Sequence, residues 1–237
     1  PVTLYYAPSF DAAASLNLPE TDNAAYLPDV DAFALFPTVV LQGVPLAMNP
    51  GVLVHELSHR MFYYRAFDGA LFETLETFAS TTNAVATFNR IRALDEGVAD
   101  FFAASFTGDP KFLSVSVPNT PIGPERDLTI DRDFPTEWLG GIEPEQNDAY
   151  NPYGVGVLLA STLWFMAEEF GHEPVRTATL DGLSRVRPAL VERFQYRFGD
   201  FLNLAIQSLD ATHRATACQI AAQRFSSAFT QVSSACP

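Results

Sequence analysis

The segment His55-Glu56-Leu57-Ser58-His59 constrains this 237-residue chain more than any other. A helix puts residues four apart on one face, so His55 and His59 can offer two imidazole nitrogens to one metal ion. Glu56, one residue past the first histidine, can then reach water held at the metal and act as general base. The helix has a start signal, with Asn49 as N-cap and Pro50 at the first helical position, where a missing N–H costs nothing. Val52, Leu53, Leu57, Met61 and Phe62 would supply its buried apolar face. The plain alternative is a buried helix with two hydrogen-bonded histidines. A chance match to this pattern in a chain of this size is roughly a one-in-a-hundred event or rarer. The chain has only four histidines, and half of them sit here.

Hydrophobic residues make up 48% of the chain and charged residues 18%, a globular balance long enough for one large domain or two lobes around a cleft. A net charge of −14 would repel phosphate backbones, so nucleic acid is excluded as an expected partner. Of the 14 basic residues only Lys111 is lysine. No apolar run is long enough to span a bilayer. The chain begins at Pro1, which suggests trimming or processing. Cys218 and Cys236 can form a disulfide tethering the tail to the preceding helix, which would suit an oxidising compartment; two free thiols are the alternative.

Val2–Tyr6 reads as a strand and residues 8–29 as a loop with one helical turn. Ala32–Phe36 and Thr38–Gln42 read as two short strands broken by Pro37. The helix bearing the histidines should run from about Pro50 to Ala66, followed by a turn at Asp68-Gly69. Further helices are expected over 71–89, over Arg92–Phe106 with a stop at Gly108-Asp109-Pro110, and over Tyr153–Phe170 closed by Gly171. About three more should fill 174–232. Residues 109–147, rich in Pro, Gly and acids, read as a functional surface segment with local turns.

A catalytic zinc usually takes three protein ligands and leaves a position open. A further histidine of the H-E-x-x-H-x-x-G-x-x-H pattern is absent, since its position holds Arg65, which argues against a metzincin. Downstream stands Ala93-Leu94-Asp95-Glu96-Gly97-Val98-Ala99-Asp100. Glu96 can bind the metal. Asp100, one turn later, can accept a hydrogen bond from a ligating imidazole and fix its tautomer. Gly97 would let another helix approach closely. Glu73 and Glu76 are rival ligands without the following Gly and Asp.

HELSH followed by DEGVAD resembles the gluzincin zinc peptidases, in particular the thermolysin and fungalysin groups, over roughly residues 31–165. The resemblance implies an α+β, predominantly helical, zincin-like domain spanning 1–237. Its N-terminal lobe (1–108) would hold a small β-sheet and the histidine helix, and its C-terminal lobe (109–237) would be helical. It implies Zn2+ held by His55, His59 and Glu96, with Glu56 as general base. It further implies an edge strand at Asp31-Ala32-Phe33 that pairs with an extended peptide or protein substrate, and substrate-contacting arginines at Arg126 and Arg132. The segment Tyr150-Asn151-Pro152-Tyr153-Gly154-Val155-Gly156 is similar to the one carrying the family's transition-state stabiliser.

The chain departs from that pattern twice. The gap from His59 to Glu96 is longer, making residues 66–90 an insertion at the cleft. No histidine occurs in 146–160, so Tyr150 or Tyr153 would have to donate to the oxyanion. His172 and His213 read as structural. The expectation is a secreted, periplasmic or cell-surface zinc endopeptidase. The competing readings are a non-proteolytic zinc-containing binding module and a zinc hydrolase of a non-peptide substrate.

Overall fold

A computed structural model describes residues 2–6, 21–78, 84–132, 152–193, 198–225 and 235–236. Three short strands come first: β1 (Thr3–Tyr6), β2 (Ala24–Leu27) and β3 (Ala32–Leu35). They form one sheet in the order β1-β3-β2, with β1 parallel to β3 and β2 antiparallel to it. The rest of the described chain is dominated by helices, so the architecture is predominantly helical with a small sheet.

β3 is fully buried, and both of its edges are used: Thr3–Tyr6 pair with one and Ala24–Leu27 with the other. The expected edge strand at Ala32 and Phe33 is therefore corrected to a central one, whose backbone has no free side for a substrate. The edges belong to β1 and β2, the latter in a stretch expected to be loop. The sequence of β2, AAYL, has no β-branched residue, and it becomes a strand through pairing with β3. The strand expected at Thr38–Gln42 is absent. The backbone N–H groups of Val39, Val40 and Leu41 all donate to the Asp22 carboxylate instead of to a neighbouring strand. Those bonds, Leu41's foremost, hold the Asp22 carboxyl below its ordinary range.

Helix α1 (Pro50–Phe67) starts as expected. The Asn49 side chain accepts from Gly51 N at 2.8 Å and Val52 N at 3.4 Å, and donates to Phe112 O and Ser116 Oγ. That buried amide caps the helix and ties it to the segment after the next long helix. The burial differs from expectation: Leu53 and Leu57 lie 39% and 49% exposed, while Val52, Phe62, Ala66 and Phe67 are buried. The two leucines are one turn apart on the face turned away from the other helices.

Helix α2 (Leu71–Phe78) is short, and α3 (Ala84–Thr107) begins eight residues before the expected Arg92. Gly108, at φ +69°, ends α3 as expected. After the single turn α4 (Ile122–Glu125) comes α5 (Pro152–Phe170), buried on nearly every side. Gly171 at φ +90° separates α5 from α6 (His172–Leu183). Then follow α7 (Val186–Arg193), α8 (Phe198–Ser208) and α9 (Ala211–Arg224), so the C-terminal stretch holds four described helices instead of about three.

The core forms where α3 crosses α1 and α5, around Leu94, Val98, Phe101, Leu158 and Leu159. At Gly97 and Gly156 the backbones of α3 and α5 touch. A Cβ on Gly97 would stand 2.5 Å from Gly156 O, and one on Gly156 would stand 2.7 Å from Ala93 O. The close approach expected at Gly97 is thus present. Cys218 and Cys236 form a disulfide that fastens the tail to α9. Among the described residues no helix is long and apolar enough to cross a membrane.

Candidate metal centre

Helices α1 and α3 run side by side, and His55, His59 and Glu96 meet between them. One donor atom from each lies within 4.8 Å of the others, and they form the group among the described residues that could hold a metal ion. The two Nε2 atoms are 3.0 Å apart, and Glu96 Oε2 is 3.4 Å from that of His55 and 3.9 Å from that of His59. Two nitrogens on one tetrahedral zinc ion would stand roughly 3.3 Å apart, given bonds of about 2.0–2.1 Å.

The far sides of the rings explain why the near sides want a cation. His59 Nδ1 donates to Asp95 Oδ1 at 2.8 Å, and His55 Nδ1 lies 3.0 Å from Asp100 Oδ1. A carboxylate on Nδ1 selects the tautomer with its proton there, leaving a lone pair on Nε2. Two lone pairs and a carboxylate oxygen then face one point. Glu96 Oε2 is buried and accepts no hydrogen bond from any described residue. A buried carboxylate oxygen left without a hydrogen bond costs free energy that a bound cation would recover. The donor set of two imidazoles and one carboxylate therefore fits a divalent transition ion, with a position left for water or substrate.

The electrostatics agree. Burial and the Arg126 charge pull the His55 imidazole down, but the neighbouring Asp100 and Glu96 carboxylates outweigh them and the net shift is upward. Burial likewise opposes charge on His59, yet Asp95 and Glu96 push it up to about 10. Burial alone would raise Glu96, but the two histidines hold its carboxyl below the ordinary value. The pocket thus favours positive charge at its centre.

A cleft of about 1280 Å³ opens over these groups. The face of α1 carrying His55, Glu56 and His59 forms its floor. Tyr26 and its β2 neighbours border it, as do Phe112, Leu113 and the start of α5. Glu56 is 6% exposed, and its carboxylate makes no hydrogen bond or ion pair with any described residue. Tyr153 lines the cleft, with its ring 5.1 Å from the Arg126 guanidinium. The Glu96 charge, with burial, pushes its phenol up to about 12, so Tyr153 keeps its proton at neutral pH.

Arg126 reaches the centre chiefly as a partner of Asp100, with its Nη2 also 3.3 Å from His55 Nδ1 and 3.9 Å from Glu96 Oε2. Its Nε donates to Asp100 Oδ2 at 3.0 Å and its Nη2 to the other oxygen. Asp100 is fully buried. Burial would raise its pKa, but the charges of Arg126 and His55 prevail and lower it. Arg132 lines the cleft while donating to the carbonyls of Asp127 and Glu125. Ala32 and Phe33 lie in the buried strand and do not line the cleft. Tyr150 lies outside the described residues.

Glu73 and Glu76, the rival ligands, are exposed on α2 and away from the donor group. His172 bonds Ser105 Oγ at 3.0 Å and packs on Trp164, and His213 stacks on Phe170; neither lines the cleft. Asp95 is the functional residue that sequence reasoning passed over. Adjacent helical residues point about 100° apart, so a ligand at Glu96 gives no reason to expect its neighbour in the same site.

Comparison with known protein families, with curated proteins and with solved structures gives no match to this chain.

Proposed function

We propose that this chain is a zinc-dependent endopeptidase of gluzincin type, with lobes 1–108 and 109–237 flanking the cleft. The observation that carries the reading is one cleft in which a buried carboxylate with no partner among the described residues, Glu56, adjoins the His55, His59 and Glu96 donor group. A zinc ion held there supplies Lewis acidity toward water and a scissile carbonyl. Glu56 takes the proton of the attacking water and returns it to the leaving amine. Tyr153, protonated and across the cleft, donates its O–H to the developing oxyanion. Arg126 keeps Asp100 charged, and Asp100 keeps the His55 ring oriented. The outer edge of β2, which pairs with no other described strand, offers its N–H and C=O groups to an extended peptide, taking the role expected of Ala32 and Phe33. The disulfide is compatible with an extracytoplasmic workplace.

The test compares zinc-loaded wild type with Glu56→Gln on a diverse peptide library read by mass spectrometry. Wild-type cuts should drop by about 10²-fold or more in the variant, while zinc stoichiometry stays at one. Equal cutting by both proteins would remove Glu56 from the mechanism. No cutting by a zinc-loaded wild type would remove the peptidase reading.

A further inference from the structure

Three arginines line the cleft: Arg92, Arg126 and Arg132. Arg126 is held by Asp100, and Arg132 by two backbone carbonyls. Arg92 is exposed, its guanidinium lies over the Phe88 ring at 5.8 Å, and it forms no hydrogen bond or ion pair with any described residue. That is unusual company for an arginine in a chain with 28 acidic and 14 basic residues. Other arginines are taken up by carboxylates, as Arg60 is by Asp31 and Arg176 by Glu173, or by backbone carbonyls, as Arg214 is. The acids nearest to Arg92 along its own helix are already engaged. Asp95, three residues on, is bonded by His59, and Glu96, four residues on, faces His55 and His59.

Residues 92 and 96 share a face of α3, one turn or about 6 Å apart along the axis. An extended peptide advances about 3.3 Å per residue, so a group at Arg92 belongs to a residue about two positions from one at the metal centre. The guanidinium is a planar fork of donors that matches a carboxylate. Its charge is also felt at Tyr153, which lines the same cleft.

We infer that Arg92 is a specificity determinant, receiving a carboxylate of a peptide bound in the cleft about two residues from the bond at the metal centre. This rests on the peptidase reading for the identity of the ligand as a peptide. The carboxylate can come from an acidic side chain or from a free C-terminus. The first would make the protein selective for internal acidic sequences, and the second would draw its cuts toward chain ends.

The experiment titrates zinc-loaded Glu56→Gln protein with three fluorescent peptides of one length. One has an internal Glu and an amidated end, one has Gln there and an amidated end, and one has Gln and a free C-terminus. The same titrations are run with Arg92→Gln and Arg92→Glu added, after circular dichroism and zinc analysis show each variant folded and loaded. One of the two carboxylate peptides should bind about tenfold more tightly than the neutral one, as expected for a charge-assisted hydrogen bond. That ratio should fall to about one in Arg92→Gln and invert in Arg92→Glu. Which carboxylate peptide is preferred identifies the source. Equal binding of all three, or discrimination that survives Arg92→Gln, overturns the inference.

Wild-type cleavage of the same peptides separates the two readings. Cleavage with no discrimination through Arg92 defeats the inference and leaves the peptidase standing. Discrimination through Arg92 without cleavage does the reverse, and neither binding nor cleavage defeats both.

Discussion

Each imidazole of the donor group has its own carboxylate, Asp100 on His55 and Asp95 on His59. The two differ in support. Asp100 is fully buried and braced by Arg126, whereas Asp95 is partly exposed and forms no ion pair with an arginine among the described residues. Asp95→Asn keeps the shape of the side chain but loses the charge that orients and enriches the His59 ring. Zinc affinity should fall about 10- to 100-fold, measured by competition with a chromogenic chelator, with the far-ultraviolet circular dichroism unchanged. An unaltered affinity would mean that α1 holds the His59 ring without help. The sequence made Asp100 readable because Glu96 and Asp100 are one turn apart. Asp95 was not readable, because its place depends on how far α1 is shifted along α3, and that offset is a tertiary quantity.

The elements that build the site are α1 and α3, and α5 fixes where α3 lies. Their helical character was legible from local pattern: caps, spacing and a glycine stop all act within a turn or two. The sheet was less so. β2 is made by its partner and not by its own residues, and β3 became central only because β1 and β2 each claimed an edge. Residues 38–42 have strand-forming side chains, but the backbone donors of Val39, Val40 and Leu41 go to Asp22.

The Gly97–Gly156 contact yields a prediction at this scale. Alanine is a better helix former than glycine by up to about 1 kcal/mol, which alone would make Gly97→Ala stabilising. The added Cβ, however, would stand 2.5 Å from a backbone oxygen, which cannot move aside by changing rotamer. Overpacking of this kind costs about 1–3 kcal/mol, so the variant should melt lower and bind zinc more weakly, because Glu96 moves with the helix. Calorimetry and metal analysis together decide it; a higher melting temperature with full zinc content would show that the helices part freely.

For the whole molecule, bulk composition said what the chain avoids more than what it does. The charge of −14 spoke against nucleic acid, and hydropathy spoke against a membrane helix. Neither hinted at the cleft, which exists only once the sheet, α1, the segment around Phe112 and α5 stand around it.

The three donors have one more consequence. They lie on two helices well separated in sequence, so an ion bound by all three is a reversible cross-link between them. Folding and occupancy are then a single equilibrium. Each tenfold increase in free zinc above the dissociation constant should add about 1.4 kcal/mol to stability, raising the melting temperature in even steps, and a chelator should reverse them. A melting curve indifferent to zinc would mean that the three side chains meet without sharing an ion. Otherwise the heat resistance of this protein is a thermometer for the metal around it, whether or not a peptide is ever cut.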